Sequence, residues 1–343
     1  MTGSNRLRDP KLWIGIGISA FFLILLFRKI DPHELAAAFR TMDWRYLVPA
    51  VALTFLSYFL RSVRWKYMLL PLKRTTVDNL FAATIIGYMA NNLLPARLGD
   101  IVRAYVLGRR EGLESGAVFA TVVLERLWDG FTVQFILMAT LFTLRLPPGM
   151  ENVQYDLNLC GYAALLLYLV TIIFLIVLKR RTVWTIRMVG KVMKPFSVTL
   201  QEKVIRLLGA FIEGVRMPGG GGIVALCILS LATWLVATWP IDLLLQAFGI
   251  HLPFSASMFI MVFLAFAVMV PSSPGYIGTY HFACVTALTA FNLSPARALS
   301  IALVIHGVNF FPVIGLGLFY LVRDRITLRE AEELSVKEGQ PSA

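Results

Sequence analysis

Charged residues are scarce: 15% of the 343 positions are Asp, Glu, Lys or Arg, against roughly a quarter in an average soluble domain. So few charges cannot cover the surface of a soluble protein of this size. An ordinary cytosolic enzyme, a disordered chain and a collagen-like chain are thereby excluded. Cysteine is rarer still. Cys160, Cys227 and Cys284 sit in apolar surroundings, with no CxxC and no histidine at ligand spacing, so they read as small core residues rather than a disulfide or zinc site. The sequence also lacks a P-loop, GxSxG, HExxH and DxD, and its loops are too short to hold a nucleotide-binding domain. No catalytic residue, metal site or cofactor is therefore expected. Acidic residues number 20 against 32 Lys plus Arg, a net charge of +12. In a chain this apolar, that excess concerns which face of a membrane is basic, and no nucleic-acid partner is expected.

What is present is apolar: 58% of residues by the AVILMFWYC count and a mean hydropathy of +0.73. The reading is an all-α polytopic membrane protein, with full spans at about 12–27, 46–62, 116–143, 158–178, 223–246 and 296–322. The first resembles a signal peptide but runs into Arg28-Lys29-Ile30-Asp31 without a small-residue cleavage site, so it is read as retained. A short polar helix is expected from Pro32 to Met42. The basic stretch 179–216 carries Val204, Ile205, Leu208, Phe211, Ile212 and Val215 at helical spacing, which predicts an amphipathic helix on the membrane surface. Residues 326–343 form a charged tail beyond a single domain at 1–325.

Two more apolar stretches are broken. Residues 78–95 end at Asn91-Asn92-Leu93-Leu94-Pro95, and 256–270 end at Pro271-Ser272-Ser273-Pro274-Gly275. If both are re-entrant helical hairpins, six full spans remain, and alternating faces hold 25 and 5 of the 32 basic residues, with Arg126 and Arg297 in or beside a span. By the positive-inside rule the rich face, with both termini, is cytoplasmic; the localisation expected is the bacterial cytoplasmic (inner) membrane. A shift of 179 residues places Pro95 on Pro274, Gly99 on Gly278, Ser115 on Ser294, Ala117 on Ala296 and Phe131 on Phe310. Two spans separate the units, about 78–143 and 256–322, so the second enters from the opposite face. This is an inverted repeat, and paired broken segments point to a transporter's binding site.

The first hairpin and the span after it carry Arg97, Asp100, Arg103, Glu125, Arg126 and Asp129. Charge at membrane depth costs at least about 2.5–3.5 kcal/mol per group and must face a cavity or a partner. These six sum to zero, so a closed structural network is one reading. The other is an arginine lent to a substrate anion, since its fork suits phosphate. Asn91 and Asn92 either satisfy backbone at the break or line the site. Tyr276, Gly278, Tyr280 and His281 mark the second break. The glycine permits close approach of a ligand, the tyrosines suit either a site or an interfacial belt, and His281 is a proton carrier or a packing residue. His306 and Asn309 read likewise, and Asp242 reads as reaching the interface.

At these residues the sequence resembles the lysylphosphatidylglycerol synthase transmembrane region, or flippase-like domain, family. The resemblance rests on Asn92-Leu93-Leu94-Pro95-Ala96-Arg97-Leu98-Gly99-Asp100-Ile101-Val102-Arg103-Ala104, on Val123-Leu124-Glu125-Arg126-Leu127-Trp128-Asp129-Gly130, and on Pro274-Gly275-Tyr276-Ile277-Gly278. It spans about residues 10–325, as a stand-alone member without a synthase domain. Where the family is expected to have Gly-Gly-Leu-Gly followed by an acid or arginine, this chain has Ser-Pro-Gly-Tyr-Ile-Gly-Thr-Tyr-His. The resemblance implies flipping of a polar, anionic or phosphate-bearing lipid, its headgroup held between the hairpins near Arg97 and Arg103, with membrane lipids as partners. The alternatives are a membrane transferase acting on a lipid headgroup or carrier, with Glu125 or Asp129 as base, and a non-catalytic partner of lipid-synthesis enzymes. Nothing in the residues fixes an oligomeric state.

Overall fold

A computed structural model describes residues 32–94, 98–144, 182–193, 220–269 and 273–324, together with 155, 159, 162, 163, 165–170 and 173. The described residues form helices: α1 (Pro32–Thr41), α2 (Leu47–Leu69), α3 (Val77–Leu93), α4 (Gly99–Glu111), α5 (Ser115–Thr143), α6 (Thr182–Val192), α7 (Gly220–Ala247), α8 (Phe254–Met269), α9 (Thr279–Thr289) and α10 (Pro295–Arg323). The expected first span, most of the 158–178 span, the amphipathic stretch 204–215 and the tail 326–343 lie outside the described residues.

Local chemistry sets the helix ends. Thr76 caps α3 by accepting from the Asn79 amide, and Ser294 caps α10 from Arg297 with Pro295 at the first helical position. Gly112 ends α4 in the left-handed conformation at φ 64°. Three helical segments, Trp44–Leu69, Gly222–Ala247 and Pro295–Asp324, are long and apolar enough to cross a membrane. At 29 residues α5 is also long enough, about 43 Å, but Glu125, Arg126 and Asp129 interrupt its apolar run. α3, α4, α8 and α9, of 17, 13, 16 and 11 residues, are about 16–26 Å long, short of a hydrocarbon core of about 30 Å.

α2 extends past the expected limit at residue 62 and runs to Leu69. Its partner is α7. α3 packs on α10 as α5 packs on α8, and α4 lies on α5 as α9 lies on α10. Two apolar cores stack along the long helices. One holds Ala50, Val133, Ile136, Leu288, Leu299 and Ile305; the other holds Trp65, Ile86, Leu107, Val122, Val313 and Leu321. On α2 and α5 the charged residues fall between the two.

The two ends of the bundle are pinned by different contacts. At one end Lys73 pairs with Glu111 (3.2 Å), Arg110 with Asn79 (3.1 Å) and with Asp324, and Arg323 with Asp78 (3.3 Å). Here α2, α4 and α10 finish and α3 starts. At the other end the Asp43 amide donates to the Ala247 carbonyl (2.8 Å), Arg297 donates to the Phe248 carbonyl (2.7 Å), and Phe259 meets Phe291 with ring centroids 6.0 Å apart.

α3 and α4 cross at two glycines. A β-carbon on Gly87 would lie 2.5 Å from the Arg103 β-carbon, and one on Gly99 would collide with the Gly87 carbonyl and lie 2.6 Å from the Asn91 amide. Gly87→Leu is therefore expected to destabilise the detergent-solubilised protein by about 1–3 kcal/mol or more, the cost of overpacking. Gly130→Ala, where nothing lies within 4 Å, should leave thermal unfolding nearly unchanged.

Candidate functional site

The polar layer is built from four helices. Glu125 of α5 is fully buried between two arginines: Arg64 Nη2 donates to its Oε1 at 3.0 Å and Arg103 Nη2 to its Oε2 at 2.6 Å, both guanidiniums being at most 1% exposed. One turn on, Asp129 accepts from Arg64 Nη2 (2.8 Å), Arg61 Nη1 (3.1 Å) and Trp234 Nε1 (2.9 Å), with Arg126 Nη1 at 3.4 Å. Arg64 also donates to Ser230 Oγ at 3.0 Å. The aromatic faces complete the packing: Arg103 lies over Trp65 (4.5 Å) and Arg61 over Trp234 (4.7 Å).

The rim differs from this sealed centre. Arg126 grips Asp100 with two bonds, Nη2 to Oδ1 at 2.6 Å and Nε to Oδ2 at 3.0 Å, and the two side chains are 31% and 19% exposed. Asn91 answers the question left open by its sequence: its Oδ1 accepts from the Gly99 amide at 2.9 Å, satisfying the start of α4, while its Nδ2 lies 3.5 Å from Asp100.

The structure thus brings together Asp100, Arg103, Glu125, Arg126 and Asp129; Arg97 lies outside the described residues. Asp100 and Arg103 do not pair along α4 but each reaches α5. Sequence reasoning missed Arg61 and Arg64 because Arg61 falls at the very end of the span expected at 46–62 and Arg64 just beyond it. The signal was there: Ala50, Thr54, Ser57, Arg61, Arg64 and Met68 are all buried and recur every three or four residues. Their inclusion corrects the neutral count. Among the described residues, four arginines face three carboxylates. Arg64 Nε and Arg103 Nε and Nη1 are buried with no hydrogen-bond partner.

The second break forms a separate cluster. Gly275 and Gly278 have φ of 76° and 96°, and Tyr276 between them has φ 56°. Tyr280 is buried and stacks on His306 with centroids 4.8 Å apart, which assigns it to the interior rather than to an interfacial belt. His281 is not a lone histidine: its Nε2 lies 3.1 Å from His306 Nδ1. Asn309 donates to the Ile305 carbonyl within α10, and Asp242 is held inside by Gln246 (2.8 Å) and Ser257 (3.0 Å). The two breaks meet. A β-carbon on Gly275 would lie 3.7 Å from the Asn92 carbonyl. Tyr58 and Tyr88 meet with ring centroids 4.8 Å apart at a tilt of 53°, and Arg61 and Arg126 lie over the Tyr88 ring at 5.8 and 5.6 Å. Of the described cysteines, Cys284 is buried as expected and Cys227 is exposed. No group of three metal-ligating side chains occurs among the described residues.

The profile of the lysylphosphatidylglycerol synthase transmembrane region matches residues 12–317. A UPF0104 membrane protein of Methanothermobacter thermautotrophicus is 25% identical over 323 residues, 89% of this chain and 92% of that protein. A UPF0104 membrane protein of Methanocaldococcus jannaschii is 23% identical over 315 residues, 89% of this chain and 92% of its own length. The glycosyltransferase AglD of Haloferax volcanii is 25% identical over 351 residues, which covers 94% of this chain but 56% of AglD. No solved structure matches the chain.

The burial gradient of the network sets an order of costs. Removing one partner of a buried pair leaves a charge uncompensated. Glu125→Ala, which strands two sealed arginines, is expected to cost about 3–5 kcal/mol. Asp100→Asn, at the half-exposed rim, is expected to cost about 1 kcal/mol or less. Denaturant unfolding of the solubilised variants checks the order; equal losses would show that burial does not govern the network.

Proposed function

The chain belongs to the lysylphosphatidylglycerol synthase transmembrane-region family, and from that premise we propose that it carries a phosphate-bearing lipid headgroup across the bilayer, between two hairpins that open alternately to the two leaflets. The observation that carries this reading is the arginine excess. Four guanidiniums against three carboxylates in a low-dielectric layer favour an added anion, and among the described residues three of their nitrogens, Arg64 Nε and Arg103 Nε and Nη1, have no hydrogen-bond partner. The headgroup enters at the rim, where Arg126 holds Asp100 in the two-pronged grip that also fits a phosphate. Exchange of Asp100 for the lipid anion costs no new desolvation of Arg126. The acyl chains stay in lipid.

The two-unit architecture supports the alternating part. Under the shift of 179 residues, α2, α3, α4 and α5 fall on α7, α8, α9 and α10. The four short helices are too short to cross alone. The first hairpin leaves and returns at the end pinned by Lys73–Glu111, and the second at the end pinned by Phe259–Phe291, as an inverted pair of re-entrant hairpins would. The end with Lys73, Arg110 and Arg323 belongs to the basic face of the sequence, and the positive-inside rule supports a cytoplasmic side for it and for both termini.

A transferase reading draws on the printed name of AglD, of which this chain matches little more than half. It asks Glu125 or Asp129 to act as a base. Both are occupied: Glu125 by two arginines and Asp129 by three and a tryptophan, and a carboxylate so engaged is a poor proton acceptor.

The purified full chain in liposomes is expected to speed the transbilayer movement of labelled phosphatidylglycerol over empty liposomes. Arg126→Ala and Asp100→Ala should slow it about tenfold, or roughly 1.4 kcal/mol of barrier. Equal movement of a phosphate-free diacylglycerol, no acceleration by the wild type, or product formed from an activated sugar donor would overturn the proposal.

A further inference from the structure

The second break is fastened by a chain of hydrogen bonds through two histidines. The Gly278 amide donates to His281 Nδ1 at 3.5 Å, His281 Nε2 and His306 Nδ1 are 3.1 Å apart, and His306 also bonds the backbone of Gly275. The amide fixes the tautomers. Nδ1 of His281 accepts, so Nε2 carries its proton and donates to Nδ1 of His306. The remaining His306 N–H then faces the Gly275 carbonyl. Every ring nitrogen is used once and both rings are neutral. The chain begins and ends on the same loop, and of the two residues it encloses, Tyr276 is held at φ 56°, a left-handed conformation unfavourable for a bulky side chain.

Among the described residues the pair has no counter-ion. Its ring contacts are Tyr280 and Phe310. From α9 comes also the buried thiol of Cys284, near Tyr280, and from α2 Tyr58, likewise near Tyr280. α8 contains no titratable residue. Asp242 of α7 is held by Gln246 and Ser257. Tyr88 of α3 and the charges of α5 belong to the arginine network. α1 contributes His33 and Arg40, both exposed.

We propose that the His281–His306 pair is a proton-binding site, and that a proton taken up there releases the second hairpin from α10. A proton from water can enter only at a nitrogen that now accepts. At His281 Nδ1 it displaces the Gly278 amide; at His306 Nδ1 it displaces the bond between the rings. Either entry removes one link from the chain that holds Tyr276 in its left-handed turn, and the resulting cation, without a counter-ion, is driven toward water. Joined to the reading above, this makes lipid movement proton-coupled. The test needs only the hairpin, so the two proposals fail separately.

In the full chain in liposomes, with Cys160, Cys227 and Cys284 replaced by serine, the buried Thr279 is changed to cysteine as a reporter for a water-soluble maleimide. Labelling is compared with that of the same protein carrying His281→Gln and His306→Gln, which keep hydrogen-bonding groups but take no proton. The pH dependence of the thiol chemistry is common to both and cancels in the ratio. The ratio of histidine protein to glutamine protein is expected to rise about fivefold or more between about pH 7 and about pH 4. A ratio that stays flat overturns the proposal. If the double variant elutes as an aggregate, His306→Asn alone serves as the comparison, with the same two outcomes.

Discussion

The structure depends on one buried carboxylate. Glu125 joins Arg64 of α2 to Arg103 of α4 from its own place on α5, with no exposure at any of the three beyond 1%. Three helices are thereby tied at mid-length, in the layer between two apolar cores that would otherwise slide past one another. Such a tie stabilises only while it is complete, because every guanidinium left alone at that depth would have to find water or another anion. The close crossing of α3 and α4 at Gly87 and Gly99 serves the same end. It brings Arg103 near enough to reach α5, and any larger side chain there would lift the hairpin off its partner.

A tight centre and an exposed rim give the layer two kinds of behaviour. The centre is fixed by shared contacts: Arg64 bridges Glu125 and Asp129, Arg103 adds to Glu125 and Arg61 to Asp129. The rim is a single two-pronged pair, Arg126 and Asp100, beside the place where the two broken segments meet. In the proposed reading a ligand anion at the rim competes first with Asp100, while Arg126 keeps its longer contact to Asp129 at 3.4 Å. The second break has its own fastening, neutral rather than ionic, through His281 and His306. The two hairpins are thus held by different chemistry, ionic at the first and neutral at the second, and in the proposed reading one answers to an anion and the other to a proton.

Much of the fold was legible. Pro32–Thr41, Val77–Leu93, Ser115–Thr143 and Pro295–Arg323 start and stop within a few residues of where caps, glycines and apolar runs place them, because those signals are local. The interruptions between α3 and α4 and between α8 and α9 were legible for the same reason. The site was only half legible. The charges on α4 and α5 stand out against apolar neighbours, whereas Arg61 and Arg64 lie close in sequence to Lys66, Lys73 and Arg74, where a basic stretch hides them. Their inward direction follows from helical phase, which the stripe through Thr54 and Ser57 carried. Partner choice was not legible at all. That Arg103 meets Glu125 and not Asp100, or that His281 meets His306 twenty-five residues away, is set by how helices cross, and no spacing within one helix encodes it.

The central claim is that the arginine rim holds a lipid phosphate. The direct measurement is the magnetic coupling between lipid phosphorus and nitrogen-labelled guanidinium groups in the full chain reconstituted in anionic bilayers, read by solid-state NMR. The account requires a phosphorus within hydrogen-bond range of a buried guanidinium, with that signal lost in Arg126→Lys while the signals of arginines at the membrane surface persist. Phosphorus contacts confined to surface arginines such as Arg74, unchanged by the substitution, would contradict it.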